Sequence, residues 1–215
     1  MSGLFLHITV VLYLAATCVY AAYLFTHRDS LIKVAQGIFI AGFAAHTLTI
    51  GLRWFEAGRT PATNLHESLT LFSWVVVAVY MALLVKYAQR VLGAFVAPFA
   101  LLLVISASIL PKEIVPLAPA LESYWLPVHV IMAFFGNAFF AIAFFLGVMY
   151  IIQQHYLKSK KLKGLFFVLP SLELLDELSY KCLQYGFPLL TLAIITGAIW
   201  AEYATGSYWD WKPRQ

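Results

Sequence analysis

The chain has 215 residues, 62% of them hydrophobic and only 11% charged, and so carries more apolar surface than one soluble core of that size can bury. That excludes a water-soluble globular domain and predicts an all-α, polytopic integral membrane bundle. The net charge of +4 follows from where lysines and arginines fall between the spans and argues little for a nucleic-acid partner.

A spanning helix needs roughly 20 mostly apolar residues. Six stretches qualify: about 4 to 25, 34 to 53, 68 to 87, 91 to 110, 124 to 152 and 182 to 202. With no internal repeat and no low-complexity tract, residues 1–215 read as a single membrane domain. The first stretch has no basic residues ahead of its apolar run and no small-residue cleavage site, so it is expected to be a retained helix rather than a signal peptide. It carries His7, expected to be a satisfied interfacial residue, and Cys18. Cys18 and Cys182 lie at different expected depths, and no Cys-x-x-Cys or Cys-x-x-Cys-His occurs, which excludes a dithiol oxidoreductase and a c-type cytochrome.

The second stretch holds His46, seven residues before Arg53. At ~1.5 Å per residue this puts its ring ~10 Å below the membrane face. A histidine at that depth reads either as functional or as a neutral imidazole bonded to a neighbouring helix. His66 precedes the third stretch, and Gly58 and Pro61 shape the loop before it, where Arg53, Glu56 and Arg59 bring charge to an apolar cleft. Between the fourth and fifth stretches, residues 110–127 hold four prolines and are expected to be stiff and extended. They deliver Trp125 and His129 to the membrane surface, where a neutral imidazole suits axial ligation of haem iron or else only caps the helix start or snorkels to the interface. The fifth stretch is longer than a bilayer requires and is expected to tilt or protrude. A basic run from 158 to 163 follows, then segment 170–180, where Leu174, Leu175 and Leu178 oppose Glu173, Asp176 and Glu177; this reads as a short amphipathic helix in the membrane interface, an ordinary connecting helix or a docking site for a partner.

Nine of the fourteen Lys and Arg residues fall in the loops after the first, third and fifth stretches. The positive-inside rule then predicts an external N-terminus, a cytoplasmic lysine-rich loop and an external C-terminal segment. All six tryptophans, Trp54, Trp74, Trp125, Trp200, Trp209 and Trp211, belong to the outer half in that arrangement. An anchoring belt populates both interfaces, so the bias points to a functional outer surface. Its densest part is segment 197–215, with Trp200, Tyr208, Trp209, Asp210 and Trp211, a platform suited to a flat, partly charged ligand such as haem.

Three ordered segments resemble the CcsA-type cytochrome c biogenesis proteins, the haem-handling family with the tryptophan-rich WWD signature. Within 53–74, Arg53-Trp54, Gly58, Pro61, Asn64-Leu-His-Glu-Ser68 and Ser73-Trp74 match its elements in order. The stretch Pro119-Ala-Leu-Glu-Ser-Tyr-Trp-Leu-Pro-Val-His129 and the Gly197-Ala-Ile-Trp200 to Gly206-Ser-Tyr-Trp-Asp-Trp-Lys-Pro213 signature match two more, and 175–187 fits the approach to the last helix. The resemblance implies assistance in attaching haem to apocytochrome c on the outer side of the membrane, with a CcsB-type membrane partner. It implies haem of the b type, held only transiently. It also implies that the WWD segment binds the haem face and that His129 is an axial ligand to its iron. Lys212, Gln215, His66 and Thr205 depart from the family pattern, while Asp210 recovers some of the lost acidity. Lys212 or Arg214 could pair with haem propionates, and Arg59 is a further candidate.

The family continues through two more helices carrying a membrane histidine and a second external histidine. The chain is therefore expected to be a fragment, a protein completed by another chain that supplies those helices, or a variant with a different second ligand, for which His66 is the local candidate. The expected function is presentation of haem for thioether formation at a plasma (inner) membrane or its thylakoid equivalent, as a possible subunit of a cytochrome c synthase. The rival readings are a HemX-like regulator of tetrapyrrole synthesis, a small-solute transporter and a structural membrane subunit.

Overall fold

The computed structural model of the chain describes residues 1–114, 123–160 and 164–208. The helices are α1 (Ser2–Thr26), α2 (Asp29–Ala57), α3 (Leu65–Tyr87), α4 (Gly93–Ser108, preceded by a 3-10 turn at Arg90–Leu92), α5 (Trp125–Lys158), the single-turn α6 (Leu165–Val168) and α7 (Leu172–Thr205). No strand occurs among the described residues. All but α6 are long and apolar enough to cross a membrane, α4 together with its 3-10 turn as Arg90–Ser108, giving six spans and a polytopic helical membrane protein.

Local chemistry sets the helix ends. The α2 helix stops at Gly58, whose φ of 65° is the left-handed conformation that glycine adopts without strain. Asn64 then caps α3, its side chain accepting from the Glu67 amide at 2.8 Å, while the Glu67 carboxylate accepts from the Thr63 amide at 3.0 Å. This is a reciprocal cap of the capping-box kind, shifted by one residue.

The α1 to α4 helices pack as one group and α5 pairs with α7 along its length, with α3 joining the two through α5. The first group surrounds an aromatic column: Phe39 meets Tyr13, Tyr80 and Tyr20 at ring-centroid distances of 5.0, 5.6 and 6.2 Å. The α5–α7 pair closes where glycines let the backbones approach. A Cβ on Gly136 would lie 2.8 Å from Leu190 Cγ, and one on Gly186 would lie 3.2 Å from the Gly136 carbonyl oxygen.

Both α5 and α7 have 34 residues. At ~1.5 Å per residue each is ~50 Å long, well beyond a ~30 Å hydrocarbon layer, so both exceed what a perpendicular crossing requires. Segment 170–180 corrects its expectation: it is not a separate interfacial helix but the start of α7, with Ser171 as N-cap. Leu175 and Leu178 are fully buried in the core. Because α5 also overhangs, the leucine face has a protein surface to cover and does not need the lipid interface.

Candidate functional site

Polar side chains gather where α2 ends and α3 begins. Arg53 donates from Nε to Glu67 Oε1 at 3.0 Å and from Nη1 to the Lys112 carbonyl at 2.8 Å. Its Nη2 lies 2.9 Å from the same carboxylate oxygen, an ion-pair contact rather than an aligned hydrogen bond. Glu67 Oε2 accepts from the Thr63 hydroxyl at 2.8 Å, so one buried carboxylate ties the loop, α2 and α3 together. A buried pair with its remaining lone pairs satisfied in this way tolerates desolvation. Beside it, Arg53, Lys112, His66, Glu67, Thr49 and Thr70 line a pocket of about 180 Å³.

His46 is fully buried and uses both ring nitrogens: Nε2 lies 3.1 Å from the Thr70 carbonyl and Nδ1 lies 3.1 Å from the Tyr13 hydroxyl. A carbonyl can only accept, so Nε2 carries the proton and Nδ1 accepts from tyrosine. Of the two readings open to His46, this is the satisfied imidazole, clipping α1, α2 and α3 together. It has no lone pair left for a metal.

His129 is built differently. It sits one turn after Trp125 on α5 and faces α7, where its Nδ1 donates to the Ala193 carbonyl at 2.8 Å. The ring lies over Gly197, at which a Cβ would come within 2.8 Å of both Cε1 and Nδ1. The Trp200 ring is nearly parallel to it, at 13° and 6.5 Å between centroids. With the proton held on Nδ1, Nε2 keeps its lone pair, and it has no hydrogen-bond partner among the described residues. A backbone carbonyl on the far nitrogen is the arrangement that fixes the tautomer and orientation of metal-binding histidines.

The structure thus brings His129, Gly197 and Trp200 together, with the half-exposed Trp125 one turn away. Tyr208 is exposed beyond the end of α7. Trp209, Asp210 and Trp211 lie outside the described residues. So does any packing of loop 54–65 against them. Arg59 stays in that loop, where its Nη2 donates to the Thr63 hydroxyl at 3.4 Å. His66 is not brought to His129: its Nδ1 donates to the Ala107 carbonyl of α4 at 2.7 Å, and its ring lines the pocket beside Arg53.

Two contributors escaped the sequence reading. Gly197 was legible as part of a motif but not as the seat of the His129 ring, which only the α5–α7 crossing creates. Glu67 was legible in principle, since Asn64-x-x-Glu67 has capping-box spacing.

The family model described as cytochrome C assembly protein matches residues 62–215, which take in all of α3 to α7. The chain is 33% identical over 211 residues to the cytochrome c biogenesis protein CcsA of Guillardia theta, covering 89% of this chain and 70% of that protein. It is 35% identical over 175 residues to the protein of that name from Chlamydomonas reinhardtii, covering 78% of this chain and 48% of that protein. Against the Synechocystis protein of the same name the identity is 29% over 240 residues, covering 86% and 72%. The chain therefore spans from about half to under three quarters of the length of these relatives.

Proposed function

The chain belongs to the cytochrome c assembly protein family, and from that premise we propose that it holds haem at one membrane face and presents it for covalent attachment to apocytochrome c. Haem is here a substrate that passes through. What carries the reading is the His129 geometry: a proton held on Nδ1 by the Ala193 carbonyl, an Nε2 without a hydrogen-bond partner among the described residues, and an indole stacked beside the ring.

The residues fit the group. His129 Nε2 offers a neutral nitrogen to iron, and Trp200 with Trp125 offers aromatic surface to a macrocycle. Haem itself supplies the vinyl groups that apocytochrome thiols add to. The protein's part is orientation and exclusion of water, and holding two reactants in register is where most of the acceleration arises. Trp209, Asp210 and Trp211 extend the platform in this reading, and Arg59 serves a propionate. The second axial ligand comes from outside the groups gathered at His129, from a further part of the protein or from a partner chain, since both nitrogens of His46 are engaged and His66 is bonded to the α4 Ala107 carbonyl, away from His129. The site faces the external side and the lysine-rich end is cytoplasmic, with a CcsB-type protein as membrane partner.

Replacing His129 with Ala in the full assembly should abolish most haem retention, and added imidazole should restore it by filling the vacated position. His155→Ala, at the other end of α5, should do neither. An unchanged Soret band and haem stoichiometry in His129→Ala would remove this histidine from the site. A reporter enzyme active only outside the cytoplasm, fused after Gln215, should be active if the site faces outward.

A further inference from the structure

We infer that the groove between the lysine-bearing ends of α3 and α7 is a binding site for one anionic phospholipid of the leaflet at that end. The α3 and α7 helices flank α5 there and leave a cleft lined by Val79, Ala82, Leu83, Phe139, Cys182 and Tyr185. Its volume is about 190 Å³ and its walls are almost wholly apolar. It runs from the last turn of α3 into the hydrocarbon layer, since Val79 is seven residues, ~10 Å, before Lys86.

Two cations close its mouth. Lys86 Nζ from α3 and Lys181 Nζ from α7 converge on one ring, lying 5.4 and 5.0 Å from the centroid of Tyr87. Lys181 is ion-paired with Glu177 on its own helix, whereas Lys86 has no ion-pair partner among the described residues. Two ammonium groups beside one aromatic ring, with Glu177 the one carboxylate ion-paired to either among the described residues, leave an excess positive charge at the headgroup boundary. The chemistry that answers it is a phosphate between the lysines and an acyl chain in the slot. A lipid seated there packs against α3, α5 and α7 at once, and so bridges the α1 to α4 group and the α5–α7 pair. This site is independent of the haem reading.

The test uses the full chain in mild detergent, titrated with phosphatidylglycerol or phosphatidylcholine of identical chains, with bound lipid read by native mass spectrometry. The wild type should retain phosphatidylglycerol preferentially and show a raised unfolding temperature with it alone. The double variant Lys86→Gln, Lys181→Gln should lose that preference by roughly tenfold or more. Ala82→Phe, which fills the slot and keeps both lysines, should lose it as well, and still reports if the double variant fails to fold. Lys33→Gln with Lys158→Gln removes the same charge at the same end and should retain it. Equal retention of the two lipids by the wild type overturns the inference, as do unchanged preference in Ala82→Phe, equal loss in the control pair, or a haem adduct that displaces the lipid from this groove.

Discussion

His46 and His129 set two regions of the molecule side by side. In the α1 to α4 group, His46 is enclosed and both of its nitrogens are used, so the imidazole acts as a polar bolt among three helices. In the α5–α7 pair, His129 is only partly buried and one nitrogen is used, so the same side chain is held at one end and open at the other. The surroundings follow suit: tyrosines and a buried Arg53–Glu67 pair enclose the first region, while Gly136, Gly186 and Gly197 bring two helices together in the second. Burial and the second nitrogen together separate these two histidines, and ring neighbours complete the reading: His66 also donates one nitrogen to a carbonyl, but its buried ring lines the pocket beside Arg53.

The comparison breaks most readily at the buried pair. Glu67→Ala leaves Arg53 charged and uncompensated in a protein interior, which costs on the order of 3–5 kcal/mol. A thermal unfolding curve in detergent should shift down strongly, and an unshifted curve would mean that the pair does not brace the first region. His46→Ala comes next. It strands the Thr70 carbonyl and the Tyr13 hydroxyl and opens a cavity, a loss of roughly 2–4 kcal/mol. Haem retained per folded molecule should nevertheless stay the same. Loss of haem that imidazole restores in His46→Ala would make it a ligand and erase the contrast with His129.

Gly197→Ala probes the second region without deleting any of its polar atoms. The new methyl meets the His129 ring, and overpacking of this kind costs about 1–3 kcal/mol. The ring must turn off the Ala193 carbonyl, so haem retention should fall, and the double variant Gly197→Ala, His129→Ala with imidazole should recover much of it. Full retention in the single variant would show that ring placement is unimportant. The smallest effect is expected from Trp200→Leu, which removes the parallel indole and should weaken haem binding by about 0.5–1.5 kcal/mol without rescue by imidazole. Rescue there would mean that the indole acts through the iron position rather than through contact area.

Much of the fold was legible before any coordinates. Six apolar runs each had spanning length, and a hydrocarbon layer leaves a helix as the backbone solution for such a run. Their ends were less legible: α5 and α7 overrun the apolar signal because amphipathic turns continue a helix wherever a neighbour covers them, as α5 covers Leu175 and Leu178. At the site, residue type and position along the chain pointed to His129, Trp125 and Trp200. The sequence by itself determined which side chains could take part and roughly how deep each one lies, because depth follows from counting residues along a helix. Only the tertiary structure decided which histidine nitrogens are free. That depends on which groups of other helices each ring meets, the Tyr13 hydroxyl and the Thr70 carbonyl at His46 but, among the described residues, the Ala193 carbonyl alone at His129, and the partner each offers is fixed by helix rotation and crossing, which no single segment encodes.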